Sequence, residues 1–197
     1  CKLVASTLIE CGLKKDQFTI NVSNRKIIQG LIQDLKIPAN KEIKVMRAID
    51  KLDKPDFGIN GVEDLLKKER KDKSGAITKG ADLNDDQVSK ILNFLKIKDL
   101  KKLKQDFKNP ITQEGIKELE DLFEVLDFGN YSELVKTNFT IVRGLAYYDG
   151  FCIETNLNFK TTNNKGKEID IGSVCSGGQY NKFCLLYTSP SPRDGVQ

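Results

Sequence analysis

Apolar positions along this chain recur with two periods, and the period changes mark its elements. Leu3, Val4, Leu8, Ile9 and Leu13 repeat at helical spacing, with Gly12 near the expected stop, so residues 2–13 read as an amphipathic helix. The period then drops to two. In Gln17 to Ser23, Phe18, Ile20 and Val22 alternate with polar neighbours, as a half-buried strand requires. Asn24 is placed to cap a helix whose apolar face is Ile27, Ile28, Leu31, Ile32 and Leu35, ending before Ile37-Pro38. Asn40 is expected to cap the next helix, which carries Ile43, Val45, Met46, Ile49 and Leu52 and stops at Lys54-Pro55.

From about residue 60 to Leu126 the texture becomes short, lysine-rich and helical. Val62, Leu65 and Leu66 mark one helix, and Val88, Ile91, Leu92 and Leu95 mark another behind Asn84-Asp85-Asp86. A third carries Ile116, Leu119, Leu122, Phe123 and Leu126, with Asn109 or Thr112 as its cap. Beyond it, Phe139 to Val142, Phe151 to Phe159 and Glu168 to Val174 are strand-like, with a hairpin turn at Asn163-Asn164-Lys165-Gly166. Strand, helices, a helical insertion and then an antiparallel meander predict an α+β fold, with no internal repeat. The expected division is a first core part at 1–59, a helical insertion subdomain at 60–126, a second core part at 127–183 and a tail at 184–197. Few apolar contacts are expected between insertion and strands.

Composition narrows the chemistry. Of 197 residues, 39% are apolar and 30% charged, which indicates a folded, soluble chain. No apolar run approaches the roughly 18 residues of a membrane span and no signal-peptide pattern is present, so a cytoplasmic setting is expected. Histidine is absent, which excludes Ser-His-Asp and Cys-His catalysis and His-bearing zinc sites from these residues. Cys1, Cys11, Cys152, Cys175 and Cys184 form no C-x-x-C pair, so neither a metal knuckle nor a disulfide framework is predicted. The net charge of +4 is too small to announce nucleic acid by itself.

The two ends look foreign to the rest. The chain opens on Cys1 inside a helical pattern, which predicts a fragment. Cys184 to Asp194 reads CLLYTSPSPRD and resembles the conceptual translation of a transposon-based sequencing adapter, although a flexible Pro/Ser tail would look similar. Phe183 would then be the last native position.

Three segments stand above this background: Arg143 to Glu154, Gly172 to Lys182, and Phe18 to Gly30 with the later Asp50 to Lys54. Basic residues comprise 27 lysines and only five arginines. An arginine kept at position 143 therefore suits a role that needs a planar fork, such as holding phosphate or carboxylate; a plain surface arginine is the alternative. Tyr147 and Tyr148 are adjacent, so in a strand they point to opposite faces and one can present its hydroxyl to a pocket. Gly172, Gly177 and Gly178 lie among small residues before Tyr180, and permit close approach of either a ligand or a neighbouring strand. The spacing of a Walker loop is absent.

In order, these segments resemble the histidyl-tRNA synthetases, a class II aminoacyl-tRNA synthetase family. The family string R-G-L-D-Y-Y-T-G-x-x-F-E is followed closely by Arg143-Gly144-Leu145-Ala146-Tyr147-Tyr148-Asp149-Gly150-Phe151-Cys152-Ile153-Glu154. The second string, G-S-V-x-x-G-G-R-Y-D, is matched by Gly172-Ser173-Val174-Cys175-Ser176-Gly177-Gly178-Gln179-Tyr180-Asn181. FTINVSNRKIIQGLI and AIDKLDK resemble the family's strand–helix segment and the helix before its insertion domain. Ala146, Asp149, Gln179 and Asn181 depart from the pattern.

The resemblance implies a partial class II catalytic core, an antiparallel sheet with helices interrupted by a helical insertion. It implies a histidine–tRNA ligase, which activates L-histidine with ATP and transfers it to the 3′ end of tRNA(His). Arg143 would be catalytic and ATP-binding, touching the α-phosphate and the histidine carboxylate. Tyr147, Tyr148, Tyr180, Gly177 and Gly178 would form the histidine pocket. No metal ligand is expected within the chain; Mg2+ would arrive with ATP and be held elsewhere, as would the remaining class II motifs and the anticodon-binding domain. A homodimer without membrane association is implied for the whole protein. The alternative is the regulatory subunit of ATP phosphoribosyltransferase, which shares the fold. A third reading takes the lysines between 96 and 108 as a nucleic-acid surface, although they alternate with acids as a solvated face does.

Overall fold

The computed structural model describes residues 1–54, 57–71, 77–142, 148–162, 164, 166–169 and 171–180, the side chains of 70 and 71 excepted. The adapter-like tail lies outside them. In chain order the elements are α1 (Lys2–Glu10), β1 (Phe18–Asn24), α2 (Arg25–Asp34), α3 (Ala39–Ile49), α4 (Gly58–Lys67), β2 (Arg70–Lys71), β3 (Ile77–Thr78) and α5 (Asp85–Leu95). There follow α6 (Leu100–Asp106), α7 (Pro110–Phe128), β4 (Val135–Thr137), β5 (Phe151–Leu157), β6 (Thr161–Thr162), β7 (Glu168–Ile169) and β8 (Ser173–Gly178). The main sheet runs β4-β1-β5-β8. β1 is antiparallel to β5 and β5 to β8, whereas β1 and β4 are parallel, so the sheet is mixed.

Alternation in β1 sets which face is covered. Phe18, Ile20 and Val22 are fully buried, with α7 against β1 and α2 packed on α7. Burying an aliphatic or aromatic side chain of this kind contributes about 1.5–3 kcal/mol, so β1 alone anchors the core strongly. Asn24 ends the strand and caps α2, its side chain accepting from the Lys26 amide at 3.0 Å. Asn84, Asp99 and Asn109 cap α5, α6 and α7 in the same way.

Three local expectations fail for identifiable reasons. Asn40 does not cap α3; Pro38, with φ −60° and ψ 143°, is the cap residue and its carbonyl accepts from Lys41, so Asn40 sits inside the first turn. Phe139 to Val142 is not a strand. The ladder ends where the Asn138 amide donates to the Val22 carbonyl, and the Asn138 side chain then accepts from the amide and hydroxyl of Thr140. Phe139 and Val142 are apolar because this turn is buried. Glu168 to Val174 is not one strand either: Gly172, at φ +68°, separates β7 from β8.

Among the described residues no strand of the main sheet lies between 60 and 126; β2 and β3 form a separate two-stranded ribbon. The expected weak boundary does not extend to α7, however. Thr112 Oγ1 donates to the Ile27 carbonyl at 3.4 Å, and a Cβ on Gly115 would stand 2.9 Å from Lys26 Cβ, so α7 presses on α2 nearly backbone to backbone. One apolar core takes in Phe18, Ile27, Leu31, Leu66, Phe94, Ile116 and Leu119 together.

The same helix pair is latched electrostatically. Lys26 Nζ bridges Glu114 and Glu118 on α7, and hydrogen bonds from the lysine to those carboxylates, Glu114 foremost, raise the Lys26 pKa above 10.5. A raised folded-state pKa means that this contribution is complete below the unfolded value and fades as pH climbs through the folded one. The stability lost in Lys26→Met should therefore be constant up to about pH 9 and shrink by about pH 11.5. Chemical denaturation of both proteins at the two pH values checks it; a difference that grows with pH would contradict the latch.

Candidate functional site

The second face of the sheet is polar. By register, Thr19, Asn21 and Ser23 share a face with Cys152, Glu154 and Asn156 of β5, and Glu154 stands opposite Ser176 of β8. Lys136 of β4 pairs with Asn21, so Lys136, Asn21, Glu154 and Ser176 form one row across all four strands. Alternation explains it: the odd-numbered residues of FTINVSN are polar because the even-numbered apolar ones fill the core.

This face floors an open cavity of about 810 Å³. Its wall is completed by Asp50, Asp53 and Lys54 behind α3, by Asn138, Thr140 and Val142 in the turn after β4, and by Gly172 to Ser176. Two ladder contacts stiffen the floor: Asn21 Nδ2 donates to Asn156 Oδ1 at 2.9 Å and Thr19 Oγ1 to Asn158 Oδ1 at 3.0 Å. The lining therefore mixes carboxylates, ammonium groups and neutral polar groups, a setting suited to a zwitterionic or phosphorylated ligand. A smaller cavity of about 380 Å³ shares Asn21, Asp53 and Lys136 and reaches toward Leu95 and Lys98, extending the groove to the helical block.

The aromatic end of the same face lies one pair further along the ladder. Gly178 pairs with Cys152, and a Cβ there would come 2.5 Å from the Tyr148 ring, so Tyr148 lies flat in the space a side chain would fill. Tyr180 stacks on Tyr148, with centroids 6.0 Å apart and planes at 17°, and is 46% exposed. Gly177 differs. It pairs with Ile153 on the covered face, where a Cβ would meet only Ile153 at 3.7 Å, an ordinary contact. Of the two glycines, only Gly178 is required by a close approach. The two strings meet through the backbone as well: Asp149 N donates to the Gln179 carbonyl at 3.0 Å and Gln179 N to the Phe151 carbonyl at 2.8 Å.

Arg143 and Tyr147 fall outside the described residues, as do Gly144, Leu145 and Ala146. Their flanks do not: Val142 lines the cavity and Tyr148 packs on Gly178. Asp50, Asp53 and Lys54 reach the cavity wall. Glu154 closes the first family string and Asn21 lies in FTINVSNRKIIQGLI, yet sequence reasoning gives neither a site role, and it misses Asn156 and Lys136, which carry no motif; the polar half of the strand alternation is the signal for them.

Cys152, beneath this face, is buried; desolvation pushes its thiol up to about 11 against the opposing charge of Arg25, so it is a poor nucleophile. The lysines of 96–108 are exposed, and Lys104 is paired with Glu120 at 2.7 Å.

No family model matches the chain. It is 74% identical over 183 residues to the histidine–tRNA ligase of Pelagibacter ubique, an alignment covering 93% of this chain and 39% of that protein. The crystal structure of histidyl-tRNA synthetase from Nostoc is similar at a TM-score of 0.66 and 28% identity, over 89% of this chain and 38% of that one. A structure described as an ATP phosphoribosyltransferase regulatory subunit/histidyl-tRNA synthetase, from Bacillus halodurans, has a TM-score of 0.65 over 91% of this chain and 41% of that one; at 20% identity it shares the fold. The chain thus spans about two fifths of the length of the curated relatives it matches. Its sequence and its mixed sheet with covering helices belong to the histidyl-tRNA synthetase family, as a part of the catalytic domain.

Proposed function

We propose that the chain supplies the histidine-binding half of a histidine–tRNA ligase site, in a protein that forms histidyl-adenylate from L-histidine and ATP and passes the histidyl group to tRNA(His). The observation that carries this reading is the meeting of the two family strings at one end of the polar sheet face, where Tyr148 lies on Gly178 and against Tyr180, in a sequence 74% identical to a histidine–tRNA ligase. Tyr148 and Tyr180, with Tyr147, bound the imidazole end of the substrate. Gly178 makes room for the tyrosine that contacts it, whereas Gly177 pairs with Ile153 on the covered face. Arg143 is the next residue in sequence after Val142, which lines the cavity, and the role given to its guanidinium is to take the α-phosphate and the histidine carboxylate. Attack of that carboxylate on the α-phosphorus expels pyrophosphate, and a fixed cation stabilises the charge that accumulates there.

Mg2+ enters with ATP in this scheme. Among the described residues no group of three His, Cys, Asp or Glu is gathered to hold a metal. Residues from 58 to 106 act as the inserted helical subdomain, with α7 belonging to the core it packs on. The whole protein is a cytoplasmic homodimer; no described helix is long and apolar enough to cross a membrane.

The test is a chimera in which the aligned 183 residues of this chain replace their counterpart in the Pelagibacter ubique ligase. Histidine-dependent exchange between ATP and pyrophosphate is expected. Absence of exchange together with binding to ATP phosphoribosyltransferase would assign the chain to the regulatory branch. In the active chimera, Tyr147→Phe and Tyr148→Phe should separate: losing the hydroxyl that faces the substrate raises the Michaelis constant for histidine, and loss of the other is nearly silent. Equal effects of both would contradict the pocket assignment.

A further inference from the structure

Arg25 is 3% exposed, in a chain whose other basic residues are mostly lysines at the surface. It is the first residue of α2, directly after the β1 terminus. Its backbone amide donates to the Gly150 carbonyl at 2.8 Å, continuing the ladder beyond the Asn24–Phe151 pair. Its guanidinium turns the other way, Nη1 donating to the Val142 carbonyl at 3.1 Å. Val142 and Gly150 are the residues that bracket Arg143 to Asp149 in sequence. One residue therefore ties together the two ends of the Arg-Gly-Leu-Ala-Tyr-Tyr string. A guanidinium fits such a position because it is weakly hydrated, planar and many-donored, and tolerates burial where an ammonium would not.

The clamp is itself held. Asn24, buried beside it, donates from Nδ2 to Glu118 of α7 at 2.6 Å while its Oδ1 accepts from Lys26 N. On the far side the Gln179 backbone holds Asp149 and Phe151. We propose that Arg25 is a positioning residue for the adenylate site: by fixing Val142 against Gly150 it sets where Tyr148, between them in sequence, packs on Gly178 at the end of the polar sheet face. Arg25 is not among the residues that line the cavity, and its part in activity rests on the ligase reading above.

Two measurements keep the two readings apart. In the chain itself, amide hydrogen exchange of Arg25→Met and Arg25→Lys compares Ile141, Asp149 and Phe151 with the interiors of α2 and α7. The Met variant should exchange about tenfold or more faster at those three amides, the factor set by one hydrogen bond to a charged donor, with both helices unchanged. The Lys variant, keeping a charged donor, should lie between. Wild-type exchange in the Met variant overturns the clamp. If the Met variant does not fold, the Lys variant decides: local acceleration supports the clamp, wild-type exchange overturns it. In the active chimera, Arg25→Met should lower kcat for pyrophosphate exchange on the order of 10²-fold with a smaller change in KM for histidine, and Arg25→Lys should recover part of it. Unchanged kcat with altered amide exchange would remove the positioning role, whereas an inactive wild-type chimera would fault the ligase reading alone.

Discussion

Arg143→Lys in the active chimera should lower histidine-dependent pyrophosphate exchange about 10²-fold or more, an order typical of losing one preorganised electrostatic contact. Lysine keeps the charge but offers a single strongly hydrated ammonium in place of a fork that can address two oxygens at once. The interaction matters most when charge develops on the phosphorus, so histidine binding should weaken less than turnover. The lysine-rich composition makes this a sharp comparison. With 27 lysines against five arginines, lysine is the residue the sequence uses wherever only positive charge is needed. Wild-type exchange in Arg143→Lys would reject the role given to the guanidinium.

Gly30→Ala should destabilise the chain by about 3 kcal/mol, at the upper end of ordinary overpacking. A methyl at this position would run into Thr112 Oγ1 and stand 2.9 Å from both Asn109 Oδ1 and the Thr112 backbone nitrogen. Two effects oppose each other. Alanine favours a helix over glycine by about 1 kcal/mol, which alone would stabilise α2. The clash wins because its targets are the capped first turn of α7 and a threonine already bonded to the Ile27 carbonyl, so neither can retreat cheaply. For a chain of this size the loss corresponds to a fall in melting temperature of about 10 °C. An unchanged or raised melting temperature would show that α7 does not sit on α2 as described.

The strongest periodic signals are also the ones that hold in three dimensions. β1, α2, α5 and α7 each carry a clear apolar face, and the three helices add a side-chain cap; local sequence decides both. The failures share a cause in tertiary context. Phe139 to Val142 is apolar because its turn is buried, and burial without alternation cannot separate a strand from a covered loop. α7 has the lysine- and glutamate-rich texture of the helical block, yet Gly30, Thr112 and Gly115 let it close on α2, and only the three-dimensional pairing reveals that these small residues face one another. Motifs single out Tyr148, Gly178 and Tyr180, which the fold brings together. Asn21, Glu154 and Lys136 lie in separate stretches of the sequence and become a set only through the register of three strands. Arg25 is hidden for the same reason: its partners, Val142 and Gly150, lie more than a hundred positions away along the chain.

Where the substrate sits decides between this site and any other, and a crystal structure of the chimera grown with histidine and ATP tests it most directly. Histidyl-adenylate is expected on the polar face of the sheet, over the row of Lys136, Asn21, Glu154 and Ser176, with its imidazole end toward Tyr148 and Tyr180. Adenylate bound elsewhere, with this face vacant, would contradict the assignment.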